Sequence, residues 1–220
     1  MEPSVESAIQ AVAPVASARF GIEISDPAVG TLARFAVELL KWNEKFNLTS
    51  ISDPGEVAEL HVLDSLAVAP YLPAGSKVLD IGTGGGFPGV PLAIVRPDLE
   101  VTLVDRTEKK VLFLKSTLAR LRIPNARALH VRVEGSPGRE GLPVADAAVS
   151  RAFAAPDPWL ALARTYVRPG GRILAMLGSE QPDAAQLEAL RRDGDASLAL
   201  HRYELPSGAR RAILVLDRAG

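Results

Sequence analysis

The sequence predicts an α/β protein with a mostly parallel sheet, an antiparallel C-terminal strand and an N-terminal helical extension. Three observations predict this fold. Helical patterns fill the first 70 residues. Short apolar strands then alternate with helices, which is typical of a parallel sheet with helices on both faces. Near the C terminus, two extended segments are separated by only four residues. A connection this short permits a hairpin but not a parallel crossover.

The N-terminal extension contains three helical stretches. Residues 1–20 alternate apolar and small residues at helical spacing. A second helix is predicted with Asp26 as its cap and Pro27 at its first position, because proline fits the first helical turn, and its pattern runs toward Asn43. A third helix begins in the same way at Asp53-Pro54 and ends before Pro70.

The alternating region contains five strands and four helices. β-branched and apolar residues mark the strands, whereas apolar positions at helical spacing mark the helices. The predicted strands are Lys77–Ile81, Glu100–Asp105, Ala126–Val131, Ala145–Ser150 and Arg172–Leu177. The predicted helices are Pro88–Arg96, Glu108–Arg122, Pro156–Val167 and Pro182–Arg192. The C-terminal hairpin joins Leu198–Leu205 to Arg210–Asp217.

Length and composition are those of a soluble globular protein. The chain has 220 residues, 47% of them hydrophobic and 23% charged, and it contains no cysteine. We therefore predict a helical extension over residues 1–70 that packs on a larger domain, residues 71–220. The acidic first residues and the lack of a long apolar run favour a cytoplasmic protein without a membrane span. We expect no metal site, since no cluster of three ligands is apparent.

Basic residues concentrate between residues 106 and 132, although the net charge is −1. A local basic surface can steer a neutral protein toward phosphates. The competing interpretation is a solvated helix face, which charge alone favours. The candidate cations for an RNA backbone are Lys109, Lys110, Lys115, Arg120 and Arg122.

A glycine-rich turn follows the first predicted strand, where an open α/β sheet binds its ligands. Glycine lets the backbone approach a ligand but costs conformational entropy, so we expect a ligand rather than packing to require these residues. The pattern Gly84-x-Gly86-x-x-Gly89 also suits a dinucleotide. The turn alone therefore leaves a dinucleotide-dependent oxidoreductase open.

Two acids and the tail hairpin favour a different cofactor. Asp80 completes Asp-x-Gly-x-Gly-x-Gly, the pattern of class I S-adenosylmethionine-dependent methyltransferases with a Rossmann-like fold. Asp105 ends the second strand, where it can accept hydrogen bonds from both ribose hydroxyls. The closing antiparallel hairpin is the methyltransferase arrangement. We therefore predict S-adenosyl-L-methionine as the cofactor, held by Asp80, Gly82, Gly84, Gly86 and Asp105.

Several motifs along the chain together resemble one family. They are Asp80-Ile-Gly-Thr-Gly-Gly-Gly-Phe-Pro-Gly-Val-Pro-Leu, Lys41-Trp42-Asn43, Asn47-Leu48-Thr49, His61-Val62-Leu63-Asp64-Ser65, Arg132-Val133-Glu134 and Ser150-Arg151-Ala152-Phe153. In order and spacing they resemble the RsmG (GidB) family, the 16S ribosomal RNA guanine-N7 methyltransferases. The resemblance runs from about Leu39 to Gly178. This chain differs from many relatives at Leu177 and Leu60, where those relatives carry a cationic residue.

The resemblance implies methyl transfer to N7 of one guanine in the 530 loop of small-subunit ribosomal RNA. The substrate would be that RNA, free or in an assembling subunit. It also implies cofactor contacts at Gly82, Phe87, Asp105, Val133-Glu134 and Arg151. For Phe87, a place in the hydrophobic core is the competing interpretation.

Guanine N7 has an in-plane lone pair and no proton, so the reaction needs no general base and depends on positioning. Arg151 is the candidate positioning residue, either for the cofactor carboxylate or for guanine O6. A surface arginine paired with an acid is the competing interpretation. His61 and Asp64 share a helical face, and we expect His61 to be an oriented structural or RNA-contacting residue rather than a base.

Three other functions remain open. A small-molecule methyltransferase on the same scaffold would have no RNA affinity. An oxidoreductase would bind a nicotinamide cofactor, which Asp80 and the tail hairpin oppose. A catalytically silent module would bind S-adenosylmethionine without transferring its methyl group.

Overall fold

Seven strands form one sheet in the computed structural model, which describes residues 4–220. The strands are β1 (Lys77–Ile81), β2 (Glu100–Asp105), β3 (Ala126–His130), β4 (Ala145–Arg151), β5 (Val167–Leu177), β6 (Asp195–Glu204) and β7 (Arg210–Arg218). Their order is β3-β2-β1-β4-β5-β7-β6. Neighbouring strands among β1–β5 are parallel, whereas β7 is antiparallel to both β5 and β6. The predicted sheet and its closing hairpin are confirmed.

Helices precede the sheet and connect its strands. The N-terminal helices are α1 (Val5–Gln10), α2 (Val12–Phe20), α3 (Asp26–Phe46), α4 (Pro54–Glu56), a π-helix (Val57–Leu63) and α5 (Asp64–Leu66). A 3₁₀ turn, Ala69–Tyr71, leads into β1. The later helices are α6 (Gly89–Val95), α7 (Glu108–Leu121), α8 (Pro137–Glu140), α9 (Pro156–Ala163) and α10 (Ala184–Leu190).

Local signals explain how the N-terminal helices begin. Ser4 caps α1 by accepting a hydrogen bond from the Ser7 amide. The Asp53 carboxylate caps α4 in the same way, at 2.8 Å from the Glu56 amide. Asp26, expected as a cap, is instead the first residue of α3, whose N-cap is Ser25. The part of the predicted first helix that falls on residues 1–3 lies outside the described residues.

The N-terminal helices and one face of the sheet share a hydrophobic core. Leu32, Phe35 and Leu39 of α3 belong to the same buried cluster as Val78 of β1 and Leu103 of β2. A second cluster on the other face is built around Trp159 of α9 and Tyr166. The predicted boundary near residue 70 stays a prediction.

Two features of the second half differ from the predicted elements. α9 ends at Ala163 instead of Val167, because Val167 already pairs with Ala145 at the start of β5. The register then shifts, so that Ala147 pairs with Arg172. The short helix α8 was not predicted. Within residues 4–220, no helix is long and apolar enough to cross a membrane.

Candidate active site

Two neighbouring cavities lie where the parallel strands end. The smaller, of about 460 Å³, is lined by the segments after β1, β2 and β3, including Gly82, Asp105 and Val133. The larger, of about 1130 Å³, is lined by the segments after β4 and β5 and by part of the π-helix. Ala152 lines both cavities. This is the edge at which an open α/β sheet binds its ligands.

Asp80 anchors the glycine turn through hydrogen bonds to two of its residues. Its fully buried Oδ2 accepts hydrogen bonds from Thr83 Oγ1 at 2.6 Å and from the Gly89 amide at 2.8 Å. Oδ1 is buried without a partner in the described chain. Burial raises the pKa of this carboxyl to about 6. Since buried oxygens are normally hydrogen-bonded, Oδ1 retains capacity for one more polar group.

Asp105 fixes the other side of the turn. Its Oδ2 accepts from the Gly84 amide at 2.9 Å, and Oδ1 accepts from the Thr107 amide at 2.8 Å. The carboxylate also lines the smaller cavity. Each carboxylate oxygen can accept a second hydrogen bond, so Asp105 can still receive ligand hydroxyls.

The glycines of the turn serve different purposes. Gly82 and Gly84 have φ angles of 74° and 59°, which favour glycine. At Gly86, an added Cβ would lie 2.7 Å from Val90 Cγ2, and at Gly89 it would overlap Leu103 Cδ2. The expectation that a ligand rather than packing requires these glycines is therefore wrong for Gly86 and Gly89.

Phe87 lies behind the turn, against protein side chains. It is 4% exposed. Its ring stacks on His61 with 4.5 Å between centroids and lies 5.4 Å from the ring of Phe35. These contacts account for Phe87 as a core residue, which was the competing interpretation.

Arg151 reaches back from the end of β4 to the N-terminal helices. Its Nη1 donates to the Leu60 carbonyl at 2.8 Å and lies 3.4 Å from Asp64 Oδ2. Its Nη2 donates to His61 Nδ1 at 3.1 Å, and the guanidinium carbon lies 5.1 Å from the centroid of Phe87. The guanidinium is therefore a largely buried charge that bridges the two halves of the chain, and not a surface arginine.

The contacts of His61 define its protonation. A guanidinium only donates, so Nδ1 must accept and Nε2 must carry the proton, which it donates to Thr49 Oγ1 at 2.7 Å. Burial, reinforced by the charge of Arg151, lowers the pKa of His61 to about 4. Because both ring nitrogens are engaged, the ring is not free to bind a phosphate. Of the two expected roles, these contacts favour the structural one.

His61 should make the fold less stable as the pH falls from 6.5 toward 4. Its pKa is about 4 in the fold, against an ordinary value of 6.5, so the unfolded chain takes up the proton first. The stabilisation is complete above pH 6.5, and about 3 kcal/mol of it is lost on acidification to pH 4.

Urea unfolding of the protein and of its His61→Gln variant at pH 7 and pH 4 checks this loss. The difference in unfolding free energy between the two proteins should fall by about 3 kcal/mol at the lower pH. Asp80, with its pKa raised to about 6, acts in the opposite direction, but it is present in both proteins and cancels. A difference that does not change with pH contradicts the prediction.

Asp64 connects Arg151 to the C-terminal hairpin. Tyr203 of β6 donates its hydroxyl to Asp64 Oδ1 at 2.7 Å. Arg211 of β7 places Nε 3.6 Å from the same oxygen. Neither residue was predicted from the sequence. No local signal marks them, since Tyr203 and Asp64 are 139 positions apart.

Comparison with known proteins decides the family. The family model described as GidB, rRNA small subunit methyltransferase G, matches residues 29–201. The chain belongs to this family. The resemblance found in the sequence motifs is therefore confirmed.

Two curated relatives and one solved structure illustrate the similarity. The Ribosomal RNA small subunit methyltransferase G of Myxococcus xanthus (strain DK1622) is 47% identical over 200 residues, which are 90% of this chain and 92% of that protein. Its namesake from Anaeromyxobacter sp. (strain Fw109-5) is 46% identical over 215 residues, 97% of each chain. An O-methyltransferase from Bacillus cereus, solved in complex with SAH, has a TM-score of 0.59 at 16% identity and covers 97% of this chain and 100% of its own. The predicted class I methyltransferase fold of this GidB-family protein is thus confirmed.

The predicted cations of α7 lie in different surroundings. Lys110 lines the smaller cavity, and its Nζ would lie 3.9 Å from a Cβ added at Gly84. Arg120 forms an ion pair with Glu38 at 3.3 Å. Three cations of this set are exposed and contact neither that cavity nor Glu38. They are Lys109, Lys115 and Arg122.

The loop after β3 brings Val133 and Glu134 to different surroundings. Val133 lines the smaller cavity. The Glu134 side chain is 68% exposed and lies 3.3 Å from Arg132, while its amide donates to Glu140 Oε1 at 2.8 Å. Glu140 of α8 was not anticipated, yet it anchors this loop. Within residues 4–220, no group of three or more histidines and acids is placed to hold a metal ion.

Proposed function

We propose that this GidB-family protein transfers a methyl group from S-adenosyl-L-methionine to N7 of one guanine in the 530 loop of 16S ribosomal RNA. The observation that carries the proposal is the pair of adjoining cavities at the carboxyl ends of the strands. We assign the smaller cavity to the cofactor and the larger one to the substrate, in a protein whose curated relatives are named small-subunit ribosomal RNA methyltransferases. We infer a cytoplasmic location, where that RNA is found.

The smaller cavity fits the cofactor chemically. Asp105 offers free acceptor capacity to ribose hydroxyls, and Ile81 and Val133 offer apolar contacts to the adenine. The turned backbone at Gly82 lines this cavity and suits a polar aminoacyl chain, and Asp80 holds the turn through its bonds to Thr83 and Gly89. S-adenosylmethionine supplies the electrophilic methyl group when it is bound. Gly86 and Phe87 support the glycine turn by packing against other protein side chains.

The larger cavity would receive the base. Its lining includes Ser150, Arg151 and Met176, which lie at the ends of β4 and β5. Guanine N7 carries no proton that must be removed. These residues would therefore act by orienting the guanine base and by excluding water. Asp64, His61 and the Leu60 carbonyl fix the Arg151 guanidinium. From this position we propose that Arg151 donates to the cofactor carboxylate or to guanine O6.

Methyl transfer can be tested directly. The protein is incubated with methyl-labelled S-adenosylmethionine and either naked 16S ribosomal RNA or small subunits, with large-subunit RNA as control. We expect one 7-methylguanine in the 530 loop of one or both small-subunit forms and none in the control. Incorporation into neither form overturns the proposal, and incorporation into a small molecule alone favours the other methyltransferase function.

The outer face of α7 should bind the RNA backbone. Replacing Lys109 and Lys115 by alanine removes two exposed charges from this helix. Each phosphate contact contributes about one unit to the dependence of log K on log salt, so the slope should fall by about two. RNA binding measured at several salt concentrations checks this.

A matched control removes two charges elsewhere. Arg191→Ala with Arg202→Ala changes the net charge equally on the side of the sheet opposite β3. This pair should leave the salt slope unchanged. Equal effects of the two pairs would show that only the net charge matters and would contradict a binding face on α7.

A further inference from the structure

An aromatic ring stands at the junction of the two cavities. Phe153 follows β4, and its side chain is 39% exposed although it is large and apolar. The ring lines the smaller cavity and lies directly against Gly82, where an added Cβ would overlap Cδ2 of the ring. Its neighbours Ala152 and Ala154 line the larger cavity. Phe153 therefore lines the proposed cofactor site at the point where the larger cavity begins.

The surroundings of Phe153 hold its ring in this orientation. The ring meets Trp159 edge to face, with centroids 5.9 Å apart and planes at 71°. Trp159 is fully buried, and its indole N–H donates to the Leu174 carbonyl at 3.2 Å. The preceding Ala152 has a φ of 54°, a left-handed conformation that residues other than glycine rarely adopt. Such conformations persist where the surrounding structure requires them, and they concentrate at functional sites.

No other aromatic side chain of the described residues is similarly placed. The larger cavity is lined by no phenylalanine, tyrosine or tryptophan from residues 4–220, and the smaller one by Phe153 alone. Phe87 is covered by His61 and Phe35. Phe153 is thus the aromatic side chain next to the junction of the cavities, which a base must approach to reach a methyl group bound in the smaller cavity.

We propose that Phe153 is the aromatic face on which the target guanine stacks, and that it holds the methylated base more tightly than the unmethylated one. The proposal deepens the proposed function and rests on it. When the N7–methyl bond forms, the sulfur–methyl bond breaks, and the positive charge passes from sulfur to the purine. The π face of an aromatic ring attracts a cation, and base stacking on such a ring is strong. Phe153 is then a catalytic residue by contact with the reacting base.

The kinetic test compares Phe153→Leu with Phe153→Tyr. Leucine keeps the apolar bulk against Gly82 but lacks a π face, whereas tyrosine keeps the ring. At saturating S-adenosylmethionine, the single-turnover rate of the leucine variant should fall by about 10-fold or more. The tyrosine variant should stay within about 3-fold of the parent protein. Val144→Ala, which also alters an exposed apolar side chain, should leave the rate unchanged.

A binding test needs no turnover. RNA hairpins with guanosine or 7-methylguanosine at the target position are titrated in the presence of S-adenosylhomocysteine, and binding is followed by fluorescence anisotropy. The parent protein and the tyrosine variant should prefer the methylated hairpin. The leucine variant should lose most of this preference when S-adenosylhomocysteine is held at a concentration that saturates each protein.

The outcomes separate this inference from the proposed function. A leucine variant with the parent rate and the parent preference overturns the role of Phe153 and leaves the proposed function intact. A parent protein that methylates no RNA overturns both. If the leucine variant fails to fold, the tyrosine variant decides, and loss of the preference for the methylated hairpin in that variant overturns the inference.

Discussion

Replacing Gly89 by alanine should abolish cofactor binding and lower the free energy of unfolding by about 2–3 kcal/mol. The new Cβ would overlap Leu103 Cδ2 and would lie 2.6 Å from Asp80 Oδ2. That oxygen accepts the Gly89 amide at 2.8 Å, so the substitution moves both groups that shape the turn. Asp80 is fully buried and cannot move toward solvent to relieve the overlap.

Urea unfolding and calorimetric titration with S-adenosylhomocysteine measure the two effects of Gly89→Ala. The matched control is Gly138→Ala in α8, where an added Cβ meets no atom within 4 Å. Since alanine costs less conformational entropy than glycine in a helix, the control should be neutral or slightly stabilising. Normal binding and stability in Gly89→Ala would show that the turn adapts freely and would refute the packing argument.

Replacing Asp64 by asparagine should lower the free energy of unfolding by about 3 kcal/mol and slow methyl transfer as well. The Asp64 side chain is 4% exposed, and its partners Arg151 and Arg211 are 18% and 23% exposed. Asparagine keeps an oxygen for Tyr203 but leaves two largely buried guanidinium groups without their carboxylate. Removing one partner of a buried pair is costly because the remaining charge stays buried. Arg151 also loses one of the contacts that orient its side chain at the carboxyl end of β4.

Unfolding free energy and single-turnover rate together test the Asp64→Asn variant. The matched control is Glu188→Gln, which removes a carboxylate 3.8 Å from Arg191 in a pair with side chains 77% and 45% exposed. Exposed pairs contribute little, so this control should change stability by less than about 0.5 kcal/mol. A stable Asp64→Asn variant with full activity would show that the Leu60 carbonyl and His61 suffice to hold Arg151.

The parts of the fold that were predictable have local causes. Alternating short strands and helices from Lys77 onward, and the four-residue link between the last two strands, specify a mixed sheet because connection length limits how strands can pair. Asp53 and the glycine turn after Asp80 were also recognisable, since capping and tight turns depend on neighbouring residues.

The unpredicted features depend on distant contacts or on small changes of helical geometry. The π-helical hydrogen bonding of Val57–Leu63 has no local sequence signature, yet it helps to place His61 against Arg151. Gly86 is required by Val90 and by Leu114 of another helix, which no turn motif reveals. The motif Ser150-Arg151-Ala152-Phe153 pointed to Arg151. The role that we propose for Phe153 could not be predicted from the sequence, because it depends on how the segment after β4 meets the glycine turn in the fold.

The strand order of the C-terminal hairpin has a consequence for synthesis on the ribosome. β6 pairs only with β7, and β7 lies between β5 and β6 in the sheet. β6 is therefore synthesised before β7, its partner strand. It cannot form its native pairing until residues 210–218 have been synthesised. Arg211 arrives with that last strand. Because domains fold as units during translation, the charge network around Asp64 is completed only once β7 has been made. The residues around Arg151 therefore reach their final arrangement only after the strands that precede β7 have been made.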